Sequence, residues 1–235
     1  MSTWLITGSN RGLGLELTRQ LLERGHGVVA TCRRPDAADD LRRLEEAHAD
    51  DLAIVELDVS SADGIEAAFE TVRTDHASLD VLVNNAGVAG TYAAGIRDLD
   101  DEEVGHVLDV NVVGPVRVTQ QFLPLLRAGD GRKVVNVSSL MGSMADNGTG
   151  GAYAYRMSKA ALNMLAVNLD RELRGEGFTA FAIHPGWVQT DMGGANAPLE
   201  IPEAIPPIID VVERATPSEL GGTFFYPYED RELPW

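Results

Sequence analysis

Six short runs of consecutive apolar residues fix the class of fold open to this chain. They are Trp4-Leu5-Ile6, Val28-Val29-Ala30, Ala53-Ile54-Val55, Val81-Leu82-Val83, Val134-Val135-Asn136-Val137 and Ala180-Phe181-Ala182-Ile183. Each is apolar at successive positions rather than at every second one, the pattern of a parallel strand covered on both faces. Helix-length amphipathic stretches lie between them. Leu13, Leu17 and Leu21 recur at i, i+4 and i+8, and Ala160, Leu162, Leu165, Leu169 and Leu173 mark a second stripe. This alternation predicts an α/β fold: a doubly wound, seven-stranded parallel sheet with helices on both faces and right-handed crossovers. Thr223 to Tyr226 is the expected seventh strand. No repeat or linker interrupts the 235 residues, so one domain over residues 1–235 is expected. Only the stretch from Gly193 to Ser218 departs in composition, with Pro198, Pro202, Pro206, Pro207 and Pro217. It reads as a loop with one short helix covering a site, a substrate-loop region at about 191–218.

Charge narrows the partners. Lys and Arg total 19 against 36 Asp and Glu, a net charge of −17. Such a chain has no generic attraction for a phosphate backbone and is repelled by anionic lipid, so neither nucleic acid nor membrane is expected. No stretch approaches the ~18 apolar residues of a membrane span, and no signal-peptide core is visible, so a cytoplasmic location is expected. The single cysteine, Cys32, permits no intrachain disulfide and no cysteine-based zinc cluster, and no metal is expected.

The first strand runs directly into Thr7-Gly8-Ser9-Asn10-Arg11-Gly12-Leu13-Gly14, and a helix follows. Glycines let the backbone approach a ligand closely, while free N–H groups at a helix start attract phosphate. The spacing is G-x-x-x-G-x-G, and a turn without a ligand is the bland alternative. Its place at the first strand–helix junction favours a ligand, because open α/β sheets bind at the carboxyl ends of their strands. A site for NAD usually puts a carboxylate after the second strand to hold the ribose hydroxyls. Here the sequence reads Thr31-Cys32-Arg33-Arg34. Two guanidiniums suit a 2′-phosphate, with Arg11 as a possible third, so NADP(H) is the preferred cofactor and NAD(H) the lesser one.

The chemistry-bearing residues come later. Tyr155 and Lys159 stand four apart at the start of a long helical pattern and so share one face. A phenol is too weak an acid to give up its proton near neutrality, and a neighbouring ammonium helps it. The pairing is selective, because the chain has only two lysines, Lys133 and Lys159, among its five tyrosines. Ser138 and Ser139 close the fifth strand, where a hydroxyl either donates to a substrate oxygen or caps the strand end. Asn84-Asn85-Ala86-Gly87 closes the fourth and reads as mainly structural. Asn111 interrupts a helical pattern, either to hold a water that links Lys159 to solvent or to cap a kink. After the sixth strand, the turn at Pro185-Gly186, with Val188 and Thr190 beyond it, can hold a carboxamide.

Taken in order, these motifs resemble the short-chain dehydrogenase/reductase family along essentially the whole chain. The ending from Gly222-Thr223-Phe224-Phe225 to Glu232-Leu233-Pro234-Trp235 resembles its C-factor and Sniffer-type carbonyl reductase branch. The resemblance implies a single Rossmann domain and an NADPH-dependent reduction of an aldehyde or ketone. Tyr155 is then the acid/base, Lys159 its helper on the nicotinamide ribose, Ser139 the carbonyl anchor and Asn111 a support of the proton relay. It further implies that Asp58 and Val59 touch adenine, that Asn85, Ala86 and Gly87 lie along the adenosine ribose, and that Arg33 meets the 2′-phosphate. Val188 and Thr190 contact the carboxamide on the same basis, and a homodimer or homotetramer is implied. An NAD(P)H-binding signalling or sensor protein with little catalysis is the competing reading. Ser139 and Tyr155 are sixteen apart, a few residues more than the family usually shows, with the excess in Asp146 to Gly151.

Overall fold

The computed structural model describes residues 1–91 and 95–235. Its strands are β1 (Thr3–Thr7), β2 (Gly27–Cys32), β3 (Leu52–Glu56), β4 (Val81–Asn84), β5 (Lys133–Val137), β6 (Thr179–Ile183), β7 (Phe224–Tyr226) and β8 (Arg231–Glu232). Between them lie α1 (Gly12–Glu23), α2 (Asp39–Ala47), α3 (Ala62–Asp75), α4 (Asp101–Leu108), α5 (Gly114–Ala128), α6 (Tyr153–Leu173) and α7 (Ile201–Arg214). The sheet runs in the order β3-β2-β1-β4-β5-β6-β7-β8, with the first seven strands parallel. The strand order turns back between β1 and β4, which is where an open sheet leaves a crevice at its carboxyl edge.

The unbroken apolar runs are explained by two cores. Trp4, Ile6, Val28, Ala30, Val81 and Val83 pack with Leu17 and Leu21 of α1, Leu41 of α2 and Ile205 and Ile209 of α7. Their neighbours Leu5, Val29, Leu82 and Val134 point the other way, onto Val72 of α3, Phe122 and Leu126 of α5 and Leu173 of α6. Successive residues of one strand thus feed opposite faces, and neither face meets water.

Two expectations need correction. The sheet has eight strands, not seven. After the left-handed residue Asp230 (φ 49°), β8 pairs antiparallel with β7 through Phe225 with Glu232 and Tyr226 with Arg231. A two-residue exposed strand carries no periodic signal. The Pro-rich stretch contains a 14-residue helix, α7, most of whose apolar face is core. Pro206 cannot donate to the carbonyl of Pro202, but Gln20 Nε2 of α1 donates to that oxygen instead at 3.2 Å. A capping box between Glu200 and Glu203 starts the helix. Among the described residues, no helix is long and apolar enough to cross a membrane.

Candidate active site

The carboxyl ends of β1 to β6 open onto one cleft of about 940 Å³. Its base is the turn after β1. Gly8 takes φ +71°, and a side-chain carbon there would approach Ala86 Cα to 3.0 Å. At Gly14 such a carbon would fall 2.4 Å from the Gly8 carbonyl oxygen, so the turn closes only around glycine. Asn85 holds this turn from β4, its Nδ2 donating to Thr7 O at 2.8 Å and Gly8 O at 3.1 Å. The Thr7 hydroxyl accepts from the N–H groups of Asn85 and Ala86, each at 3.0 Å. Asn10, Arg11, Gly12 and Leu13 line the cleft, whereas Ser9 is buried and its hydroxyl donates to Ile6 O at 3.0 Å. Ser9 therefore shapes the turn from beneath.

At the end near β2 and β3, Arg33 and Arg34 line the cleft and are exposed. Neither guanidinium makes a hydrogen bond or an ion pair among the described residues. Arg11, by contrast, is paired with Asp191 across the cleft mouth. Asp58 and Val59 stand opposite. Burial, the largest single influence, works against ionising Asp58, but hydrogen bonds from the Ser60 hydroxyl (2.7 Å) and N–H (3.0 Å) act the other way. With the nearby Arg33 and His106, they hold the carboxyl below the usual carboxylate range.

The other end is drier. Tyr155 and Lys159 occupy successive turns of α6, at 8% and 5% exposure, and both line the cleft. Lys159 Nζ lies 5.5 Å from the Tyr155 ring centroid and donates to Val137 O at 2.8 Å. Burial alone pushes the ammonium down to about 8. The two serines after β5 both border the cleft but are held differently. Ser138 is buried and donates to Lys159 O at 3.2 Å, fixing α6 to β5. Ser139 lines the cleft and its hydroxyl accepts from Met141 N at 3.2 Å, capping a short turn (Leu140–Gly142) while facing the site.

Asn111 sits in a π-turn, Asp109–Val113, between α4 and α5. Its side chain is fully buried. Oδ1 accepts from Val88 N at 2.8 Å, and Nδ2 donates to Val88 O at 2.8 Å and Ser158 Oγ at 3.0 Å. Ser158 in turn donates to Tyr155 O at 2.7 Å. The amide thus ties the β4 edge to the helix carrying Tyr155, and it does not line the cleft. The backbone of Gly87 passes between Asn111 and Lys159: a carbon added there would lie 3.3 Å from Asn111 Oδ1 and 3.6 Å from Lys159 Nζ.

Pro185, Gly186, Val188 and Thr190 form the last wall. This lip is tied down. Val188 bridges to Leu199, Trp187 Nε1 donates to Gly193 O at 2.8 Å, and Thr190 Oγ1 accepts from Gly193 N at 3.0 Å. Of the Pro-rich region, Asp191, Met192, Gly193 and Ile201 reach the cleft. Residues 146–150 are exposed and stay outside it. His184 and His106 also line the cleft, a placement that sequence reading did not assign to either. The His184 ring lies tilted by 42° against that of Tyr226, with centroids 4.8 Å apart, its Nδ1 has no partner among the described residues, and burial pushes it down to about 4. The imidazole facing the site is therefore neutral. The only signal for it was its place directly before Pro185-Gly186.

Comparison with known proteins agrees with this arrangement. The family profile described as short chain dehydrogenase matches residues 2–199. The C-signal protein of Myxococcus xanthus is 47% identical over 157 residues, 67% of this chain and 93% of its own length. Among solved structures, the carbonyl reductase Sniffer of D. melanogaster superposes with a TM-score of 0.93 at 34% identity, over 100% of both chains. The NADPH-bound carbonyl reductase from chicken fatty liver gives 0.91 at 32% identity, over 100% of this chain and 99% of that one. By its sheet order, its cleft and these relatives, the chain belongs to the short-chain dehydrogenase family, on the branch that holds C-signal and the Sniffer carbonyl reductase.

Proposed function

We propose that this oxidoreductase reduces an aldehyde or ketone at the expense of NADPH. The observation that carries the reading is one cleft with Ser139, Tyr155 and Lys159 at its buried end and two unpaired guanidiniums at the other. The residues present fit a phosphorylated dinucleotide. The turn from Gly8 to Gly14 is closed by glycines that no larger residue could replace, and it would hold the pyrophosphate. Arg33, with Arg34 beside it, would take the 2′-phosphate. Asp58 and Val59 would flank adenine, with Asn85, Ala86 and Gly87 along the ribose and Pro185, Gly186, Val188 and Thr190 around the carboxamide. When bound, the nicotinamide supplies the hydride.

The chain's own part is positioning and proton transfer. The hydroxyls of Ser139 and Tyr155 donate to the substrate oxygen and stabilise the charge that gathers there. Tyr155 then releases its proton to that oxygen, and the Lys159 ammonium offsets the negative charge left on the phenol. Asn111 acts at one remove, by fixing the turn of α6 that carries Tyr155. Burial of the site keeps water from screening these charges. Self-association as a homodimer or homotetramer belongs to the same proposal, with Val113, Val116 and Met157 as exposed apolar residues it would cover.

The identity with C-signal favours one second reading, a nucleotide-binding signalling protein with little catalysis. Initial rates of NADPH and NADH oxidation against aldehydes, ketones and diketones separate the two. Turnover with a bias to NADPH supports the reductase. Tight NADPH binding with no turnover on any carbonyl supports the signalling protein.

A further inference from the structure

Ser139 and Tyr155 must meet one substrate oxygen, yet they stand sixteen apart in the chain, and residues 146–150 between them are exposed and outside the cleft. Gly148, Gly150 and Gly151 make that stretch loose, since glycine restricts the backbone least. The start of α6 does little to hold it. Ala152 stands at the N-cap and offers no side-chain bond to the free N–H groups. It takes the left-handed conformation, at φ 45° and ψ 45°, which is unfavourable for any residue with a side chain. Gly150 and Gly151 before it are left-handed too, at φ 65° and 69°. Tyr155 lies only three residues beyond Ala152, so a shift of the helix start would carry its hydroxyl away from Ser139.

Arg156 supplies what the local sequence does not. Its Nε donates to Gly150 O at 3.2 Å and its Nη2 to Thr149 Oγ1 at 3.0 Å, which folds the stretch back onto the helix. Its Nη1 donates to Met141 O at 3.4 Å. Met141 N in turn donates to the Ser139 hydroxyl at 3.2 Å. One planar guanidinium thus spans three acceptors, a fork that an ammonium lacks. The side chain is half-buried, and among the described residues no carboxylate pairs with it, so it serves this junction and not the acidic surface.

We propose that Arg156 is a positioning residue: it ties the segment ahead of Tyr155 to the turn that follows Ser139, and so sets the separation of the two hydroxyls. The effect on rate rests on the reductase reading above, whereas the clamp itself can be followed without turnover.

Hydrogen exchange on the intact chain, read by mass spectrometry, compares wild type with Arg156→Ala. Exchange should rise at least about tenfold in peptides covering 140–143 and 149–156 and stay within about twofold in α1, α3 and α7. With NADPH and a carbonyl that the wild type reduces, kcat should fall at least about tenfold while KM for NADPH stays within about twofold, the pattern of lost alignment and intact binding. Added ethylguanidinium should restore part of kcat in Arg156→Ala and none in Tyr155→Phe. Arg156→Lys keeps the charge and the stem and so guards against a variant that fails to fold. It should still lose at least about threefold in kcat, because one ammonium cannot span the three acceptors. Unchanged exchange at 140–143 and 149–156 would overturn the proposal, as would a rise of equal size throughout the chain in both variants. So would a kcat for Arg156→Ala within about twofold of wild type. A wild type that reduces no carbonyl would sink the reductase reading instead, and the exchange pattern alone would then decide the clamp.

Discussion

The two ends of the cleft solve opposite problems. Near β2 and β3 the groups are charged, exposed and unpaired, as Arg33 and Arg34 show. Near β5 and α6 they are buried, and the single ammonium has a backbone carbonyl for a partner instead of a carboxylate. A guanidinium held in water costs little while it waits for a phosphate. An ammonium held in a dry site is destabilising for as long as it stays charged, and its lowered pKa of about 8 records that cost. Recognition is therefore placed where it is cheap, and chemistry where charges act at full strength.

The sharpest way to break this contrast is at the dry end. Tyr155→Phe removes the proton donor and keeps the ring. Turnover should fall about 10²- to 10⁴-fold, the scale of a general acid, while NADPH binding stays within about twofold. Near-normal turnover would remove Tyr155 from the mechanism.

Lys159→Met tests the stability cost as well. Turnover should again collapse, but the ligand-free protein should become more stable. The folded-state pKa of Lys159 lies below its ordinary 10.5. Below pH 8 the lysine is charged in both states, and the folded state bears the full burial cost. Between about pH 8 and 10.5 the unfolded chain binds the extra proton, so the unfolding free energy rises with pH and the cost is relieved. The variant should exceed wild type by up to about 3 kcal/mol at pH 7, or several degrees in Tm, with the gap closing toward pH 10. Paired thermal melts across that range read it directly. A variant less stable than wild type at pH 7 would mean that Lys159 has a partner worth more than its burial costs.

These contrasts were unevenly legible in the sequence. Tyr155 and Lys159 were readable because helix geometry alone puts i and i+4 on one face. The strands were readable because burial on both faces leaves an unbroken apolar run. What failed depended on contacts between distant segments. Pro202, Pro206 and Pro207 suggested a loop with one short helix, yet packing on α1 and the Gln20 bond keep α7 helical over 14 residues. Ser138 and Ser139 look alike in sequence, and only the placement of Lys159 O decides which one is buried. Arg11, read as a possible third phosphate ligand, also pairs with Asp191, 180 residues away, a contact no local pattern announces. Asn111 was noticed for its poor propensity, while the bonds that explain it run to Val88 and Ser158.

At the wet end, Arg33→Ala should weaken NADPH binding by about tenfold or more and leave NADH within about twofold, since charge-assisted bonds to a phosphate contribute ~1.5–3 kcal/mol. Titrations with each cofactor, followed by fluorescence, give the ratio. Equal losses for both would mean that Arg33 supports the turn and does not read the 2′-phosphate. A larger loss in Arg34→Ala would move that role one residue along.

Asp191→Asn makes the smallest change and asks which end Arg11 serves. The Arg11–Asp191 pair is exposed on both sides, at 67% and 79%, so its own contribution to stability is slight. Its carboxylate nevertheless faces the mouth of a cleft that must admit phosphates, and it occupies the one guanidinium of the glycine-rich turn. Removing that charge should tighten NADPH binding by about two- to fivefold at low salt, with the gain fading near 1 M salt as screening shortens to ~3 Å. NADH is the discriminating ligand. If Arg11 is released onto the pyrophosphate shared by both cofactors, NADH gains by the same factor. If it swings to the 2′-phosphate, only NADPH gains, and the preference set by Arg33 becomes steeper. No gain for either would show that the pair does not compete with phosphate, and the contrast between the two ends would rest on Arg33 and Arg34 alone.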